Sequence, residues 1–176
     1  MTFPLPARRA LTIALVTLAC AAPAAQAAGL DLHADAELAD IGLPLFPGAV
    51  KKAAKDEDGA GFSFGVWGGA FGIKVNALNY QSAGQVDDVA AFYREALGRL
   101  GPVLDCTDNK PPHGARASEP KKSSKSKALT CGDDHVEAGG RLYKVGNEGD
   151  HRTVTITPMP GGVNFQLVRI EARGTD

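Results

Sequence analysis

Between Phe62 and Ala77 the chain alternates large apolar residues with small or polar ones. It reads Phe62-Ser63-Phe64-Gly65-Val66-Trp67, then Gly68-Gly69, then Phe71-Gly72-Ile73-Lys74-Val75-Asn76-Ala77. A period of two is the pattern of a strand, so a hairpin is predicted here. It has Phe62, Phe64 and Val66 on one face of its first strand and Phe71, Ile73, Val75 and Ala77 on one face of its second. After Ser82 the period changes. Val86, Val89, Ala90, Phe92, Tyr93, Leu97 and Leu100 recur at helical spacing, which predicts one amphipathic helix. Ser82 with Gln85 reads as a capping box at its start, Asp87 and Asp88 suit its first turn, and Gly101-Pro102 ends it.

Beyond the helix, apolar alternation returns in short runs. Val103 to Cys106, Ala128 to Cys131, Arg141 to Val145, Arg152 to Thr157 and Val163 to Ala172 are predicted strands. Asn147-Glu148-Gly149-Asp150 and Met159-Pro160-Gly161-Gly162 supply the turns between the last three. The fold class expected is α+β: an antiparallel, meandering sheet of about six or seven strands with one main helix packed on one face. Upstream, Ile41 to Val50 alternates apolar residues with Pro44 and Pro47, an extended segment ending in a Pro-Gly turn.

The N-terminus follows different rules. Arg8-Arg9 precedes the apolar run Ala10 to Ala19, too short to span a bilayer of about 30 Å as a helix, and Ala25-Gln26-Ala27 is a small-x-small cleavage pattern. Residues 1–27 therefore read as a Sec-type signal peptide and place the mature chain in the periplasm or outside the cell. A lipoprotein anchor at Cys20 is the weaker alternative, since Thr17 stands where an aliphatic residue is usual. A twin-arginine signal is a poorer match still. Residues 28–40, acidic and alanine-rich, read as a linker or a frayed short helix, and 41–176 as a single domain.

Removing Arg8 and Arg9 leaves 17 basic against 20 acidic residues, a balance that argues against nucleic acid as the main partner. Of three cysteines, Cys106 and Cys131 remain after processing, and two thiols in an oxidising compartment are expected to form a disulfide. The segment between them is polarised. Lys110, Arg116, Lys121, Lys122, Lys125 and Lys127 face only Asp108 and Glu119, and the scarcity of apolar side chains predicts a mobile basic loop over 107–128. Its charge suits an anionic envelope component such as lipid phosphate or acidic glycan. A solvated insertion without a role is the plain alternative.

Phe46-Pro47-Gly48-Ala49, Val89-Ala90-Ala91-Phe92-Tyr93-Arg94-Glu95-Ala96-Leu97, Leu100-Gly101, Leu129-Thr130-Cys131, Lys144-Val145-Gly146 and Arg152-Thr153-Val154 together resemble a family of small secreted or periplasmic bacterial domains with no assigned activity. The resemblance covers most of Leu43 to Arg173. It implies the strand and helix layout and an envelope location, and it brings no catalytic residues.

Other constellations are weak. Cys106, His113, Cys131 and His135 are zinc-ligand types, but paired thiols cannot ligate and Cys106-x6-His113 is not a usual spacing. Asp31, His33 and Asp35 sit on a segment with little pre-organisation. The glycines from Gly59 to Gly65 precede no helix and so do not make a phosphate loop. No nucleophile elbow is present, and Asp87-Asp88 and Asp133-Asp134 are adjacent pairs whose side chains diverge, unlike the facing carboxylates of a glycosidase. The expectation is a non-enzymatic module with no cofactor and no metal, whose binding surface is the sheet face opposite the helix together with the basic loop. It would bind an anionic lipid, a glycan or a partner protein of the envelope. The alternative is a small hydrolase-like enzyme with an acid/base site near His135 and His151. N-terminal sequencing of the exported protein is expected to begin at Ala28 or Gly29; an intact Met1 would overturn the signal-peptide reading.

Overall fold

A computed structural model gives the structure of the protein over residues 29–33, 36–53, 60–109 and 128–174. In chain order its elements are β1 (Gly29–His33), α1 (Leu38–Ile41), β2 (Val50–Lys51), β3 (Gly61–Gly68) and β4 (Phe71–Ser82), then α2 (Val86–Gly98), β5 (Leu104–Asp105), β6 (Arg141–Asn147), β7 (Asp150–Met159) and β8 (Gly162–Arg173). The described strands form one antiparallel sheet in the order β1-β3-β4-β8-β7-β6-β5, with β2 pairing β4 beside β3. Helix is scarce beside this much sheet.

The alternation at 62–77 folds as its period demands. Phe62, Phe64 and Val66 stand opposite Ala77, Val75 and Ile73, all on one face, and the turn falls at Gly69-Ala70. Turn chemistry likewise places the joints of β6, β7 and β8, at Glu148-Gly149 and Pro160-Gly161. Phe46-Pro47-Gly48-Ala49 closes a turn with a 3.0 Å bond from Ala49 N–H to the Phe46 carbonyl, Gly48 supplying the positive φ (76°) that such a turn needs.

Four expectations change. The sheet is not one meander: β6, β7 and β8 meander, but α2 carries the chain from β4 over one face to the far edge, and β8 returns to pair with β4. β4 and β8 are the two longest strands, at 12 residues each, and their match in length explains the long-range pairing. Residues 29–33, read as linker, form strand β1 on the edge of β3, with Leu30 opposite Val66 and Leu32 opposite Phe64 in a two-residue alternation. Ala128 to Cys131 is not a strand; Ala128 makes one isolated bridge to Asn147. The capping box is also absent. The N-cap is Gln85, without a side-chain bond, and Ser82 Oγ instead accepts from Gly84 N–H at 3.1 Å, a local turn that competes with capping.

The helices cover one face. Val89, Ala90, Tyr93, Ala96 and Leu97 of α2 are buried with Leu78, Tyr80, Tyr143, Val145, Val154, Ile156, Val163, Phe165 and Leu167 of the sheet. Leu100, predicted on the stripe, is exposed, since the helix has already ended at Gly98. Tyr93 is fully buried and meets Phe92 and Phe165 with ring centroids 5.1 and 5.4 Å away. Its hydroxyl accepts from Phe46 N–H at 3.3 Å, and burial pushes its pKa well above the ordinary tyrosine value. Farther along the same face, Arg152 and Arg169 donate to the carbonyls of Ile41 and Asp40 at 3.0 and 3.2 Å. These are end-of-helix carbonyls with no intrahelical partner, so the two arginines dock α1 on the sheet. Asp150 fixes both, at 3.3 Å from Arg152 and 3.1 Å from Arg169.

Cys106 and Cys131 form the expected disulfide, with Cα atoms 5.5 Å apart. Closing a loop of this length stabilises a chain by about 3.5 kcal/mol in the entropy model. The double variant Cys106→Ser/Cys131→Ser is expected to lose about 3 kcal/mol in urea unfolding; an unchanged midpoint would show that the cross-link carries no stability.

Candidate functional site

The face turned away from the helices is built by the alternate residues of the same strands. Registers align them into rows across the sheet. Thr157, Asn164 and Gln81 make one row and Leu142, Thr155, Gln166 and Asn79 the next. Lys144, Thr153, Val168, Ala77 and Phe62 follow, then His151, Ile170, Val75 and Phe64, then Ala172, Ile73, Val66 and Leu30. The first two rows present carboxamides and hydroxyls; the last three are mainly apolar.

A groove with a volume of about 350 Å³ lies over the polar rows. Asn79, Thr155, Thr157, Asn164 and Gln166 line it from the sheet, with Lys52 at one side and His135, Val136 and Glu137 at the other. Within it, Gln166 Nε2 donates to Asn79 Oδ1 at 3.0 Å. The buried Asn164 Oδ1 has no hydrogen-bond partner. A second hollow of similar volume continues from Thr155 and Gln166 to Val168 and Ile170, walled by Asp133, Asp134 and His135.

The wall is a strap, 130–137, held to the sheet at three points. The disulfide ties Cys131 to Cys106. Asn109 Nδ2 donates to the carbonyls of Gly132 and Asp134 at 3.0 and 2.7 Å. Lys144, buried in the third row, donates to the carbonyls of Thr130 and Cys131 at 3.2 and 3.3 Å and is ion-paired with Asp134. A buried ammonium needs such a full set of acceptors, and the strap supplies them.

The candidates from the sequence are distributed unevenly over this site. His135 lies at the groove wall, exposed, its Nδ1 3.2 Å from the Asp133 carbonyl. His151 is on the same sheet face in the fourth row, half-buried, and lines neither hollow. Its Nδ1 is buried without a hydrogen-bond partner. Burial lowers its pKa below 6.5, and the Lys144 charge adds to this against the opposing effects of the Asn147 backbone and the carboxylates of Asp134 and Asp150. Of the four zinc-ligand types set aside in the sequence, Cys106 and Cys131 are joined to each other in the disulfide. Asp87 is engaged by Arg141 at 2.8 Å on the helix side. Lys110, Arg116, Lys121, Lys122, Lys125 and Lys127, with His113, lie outside the described residues, as does Asp35.

The residues that line the groove floor were not singled out from the sequence. Their signal is present: Asn164 and Gln166 alternate with Val163, Phe165 and Leu167, and Thr153, Thr155 and Thr157 with Val154 and Ile156. Such alternation is equally the mark of an ordinary solvated sheet face. Only the registers and the strap distinguish the two. Compared with known proteins, the chain matches no family model, no curated protein and no solved structure.

The depressed pKa of His151 links stability to pH. The unfolded chain takes up a proton near pH 6.5 that the folded state resists, so stability is expected to fall as pH drops below that value. His151→Gln should flatten this part of the curve in urea unfolding between about pH 7.5 and pH 5, while the loss due to Asp150, whose pKa Arg169 holds below 3.8, remains at lower pH. Identical slopes for the two proteins would exclude His151 as the cause.

Proposed function

We propose that the chain is a non-enzymatic binding module of the bacterial periplasm or exterior, whose groove takes a hydroxyl-rich, anionic glycan of the envelope. One observation carries this reading: carboxamides and hydroxyls from three adjacent strands, Asn79, Thr155, Thr157, Asn164 and Gln166, converge on one groove. Carboxamides both donate and accept, as vicinal sugar hydroxyls do. The volume of about 350 Å³ is within the common range for small-ligand sites, about 300–1,000 Å³.

The anionic preference is argued from charge. The sequence between Asn109 and Ala128 carries six basic residues against one acidic residue, Glu119, and Lys52 lies beside the groove, charges that favour an anion. The compartment is argued from the signal-like N-terminus and from a disulfide that oxidising surroundings maintain. Among the described residues, no helix is long and apolar enough to cross a membrane. An acid/base enzyme using His135 and His151 has less support, because His151 does not line the groove that His135 enters.

Titration of labelled protein with a glucuronate-containing tetrasaccharide is expected to shift the amides of Asn79, Thr155, Asn164 and Gln166. Gln166→Ala should weaken binding about fivefold, one hydrogen bond's worth. Replacing Lys121, Lys122, Lys125 and Lys127 with serine should weaken the charged glycan and leave a neutral tetrasaccharide unchanged. If neither glycan moves those amides, the proposal fails.

A further inference from the structure

Along β8 the uncovered face changes character at one point. Asn164 and Gln166 belong to the polar rows, and Val168 and Ile170 to the apolar ones. The second hollow bridges the change, with Gln166 and Thr155 at one end and Val168 and Ile170 at the other. Beyond it the apolar rows continue uninterrupted across β4 and β3 to the sheet edge through Val75, Ile73, Phe64 and Val66.

These side chains are poorly covered. Phe62 and Phe71 are 47% and 50% exposed and Leu30 is 71% exposed, while Phe64, Val66, Ile73 and Val75 are each only partly buried. Scattered exposed apolar residues require no explanation, but a contiguous apolar strip on a folded domain marks a contact surface. Here the strip is continuous with a polar groove, so one ligand lying along the face would meet hydroxyl-binding groups first and hydrocarbon-binding groups after. The dimensions agree. From Val168 to Ala172, the apolar part of β8 on this face, the strand advances about 14 Å at ~3.4 Å per residue, against about 15 Å for the acyl layer of one bilayer leaflet.

We infer that the ligand is an amphiphile, a glycan headgroup joined to an acyl or alkyl chain, with the headgroup in the groove and the chain on the strip formed by Phe62, Phe64, Val66, Ile73, Val75 and Ile170. This rests on the glycan reading of the groove and adds the lipid. The strip remains water-facing until the chain covers it, and covering it supplies binding energy that the shallow groove alone lacks.

Methyl, hexyl, octyl and decyl β-glucuronides, each below its micelle-forming concentration, separate the two readings in calorimetric titrations of the full mature chain. Affinity is expected to rise about two- to fourfold per added methylene, and the double variant Phe64→Thr/Ile73→Thr to abolish that rise while leaving methyl glucuronide binding intact. Should that variant fail to fold, Phe62→Ser/Phe71→Ser changes only exposed positions and is expected to reduce the rise. Methyl glucuronide binding with no gain from the chain would overturn the amphiphile and leave the glycan reading standing; absence of binding by every probe would remove both. A chain-length gain that survives in the variants would also overturn the inference. So would sedimentation showing a dimer that the same variants dissociate without any chain-length gain, since a second copy would then be what covers the strip.

Discussion

β8 is the last strand of the chain, and it is hydrogen-bonded to β4 along its whole useful length, from Gly72 opposite Arg173 to Ser82 opposite Val163. That pairing joins two halves that otherwise have separate local histories. On one side are the β3–β4 hairpin and the edge strands β1 and β2, and on the other the β6–β7–β8 meander with β5. Without it there would be two separate sheets and no continuous face for the helices to cover. With it, Leu78 and Tyr80 come beside Leu167 and Phe165, and Tyr93 of α2 has a continuous surface to bury against. Such a contact is non-local, and its loop-closure cost is met only when most of the chain is already ordered.

The same pairing decides where a ligand can go. α2 and α1 both take the face bearing the larger aromatic and branched side chains, α1 held there by Arg152 and Arg169 through the carbonyls of Ile41 and Asp40. The other face is left to the strap and the groove beside it. Lys144 and the disulfide act together on that strap from the β6 and β5 side of the sheet. A polar floor with an anchored wall can orient hydroxyl groups; a polar face without the wall would be an ordinary solvated surface.

Close approach matters at one further point. Gly72 lies beneath the Trp67 indole, where a β-carbon would fall inside the ring. The glycine therefore lets the tryptophan lie flat across the end of the hairpin, with Arg173 5.7 Å from its ring centre. This packing belongs to the helix side of the sheet and lies apart from the groove.

Local elements were legible in the sequence wherever the physics is local. Alternation at 62–77 specified the hairpin and both its faces, and Glu148-Gly149 and Pro160-Gly161 specified the turns of the C-terminal meander. The α2 stripe followed from its 3.6-residue period, although its cap did not, because Ser82 has a nearer amide at Gly84 to satisfy. Cys106 and Cys131, expected to pair, form their disulfide. What periodicity cannot encode is partnership between distant strands. Polar alternation on β7 and β8 is the same string of residues whether it faces water or a groove, and the alternation of Leu30 and Leu32 in β1 spans only five residues, too short a run to separate from a linker. The tertiary structure alone placed β8 beside β4, aligned Asn79, Gln166 and Thr155 in one row, and brought His135 over them while leaving His151 to one side. Those decisions depend on strand register and on the tethers of Cys131, Asn109 and Lys144, contacts between residues that no local stretch of sequence contains together.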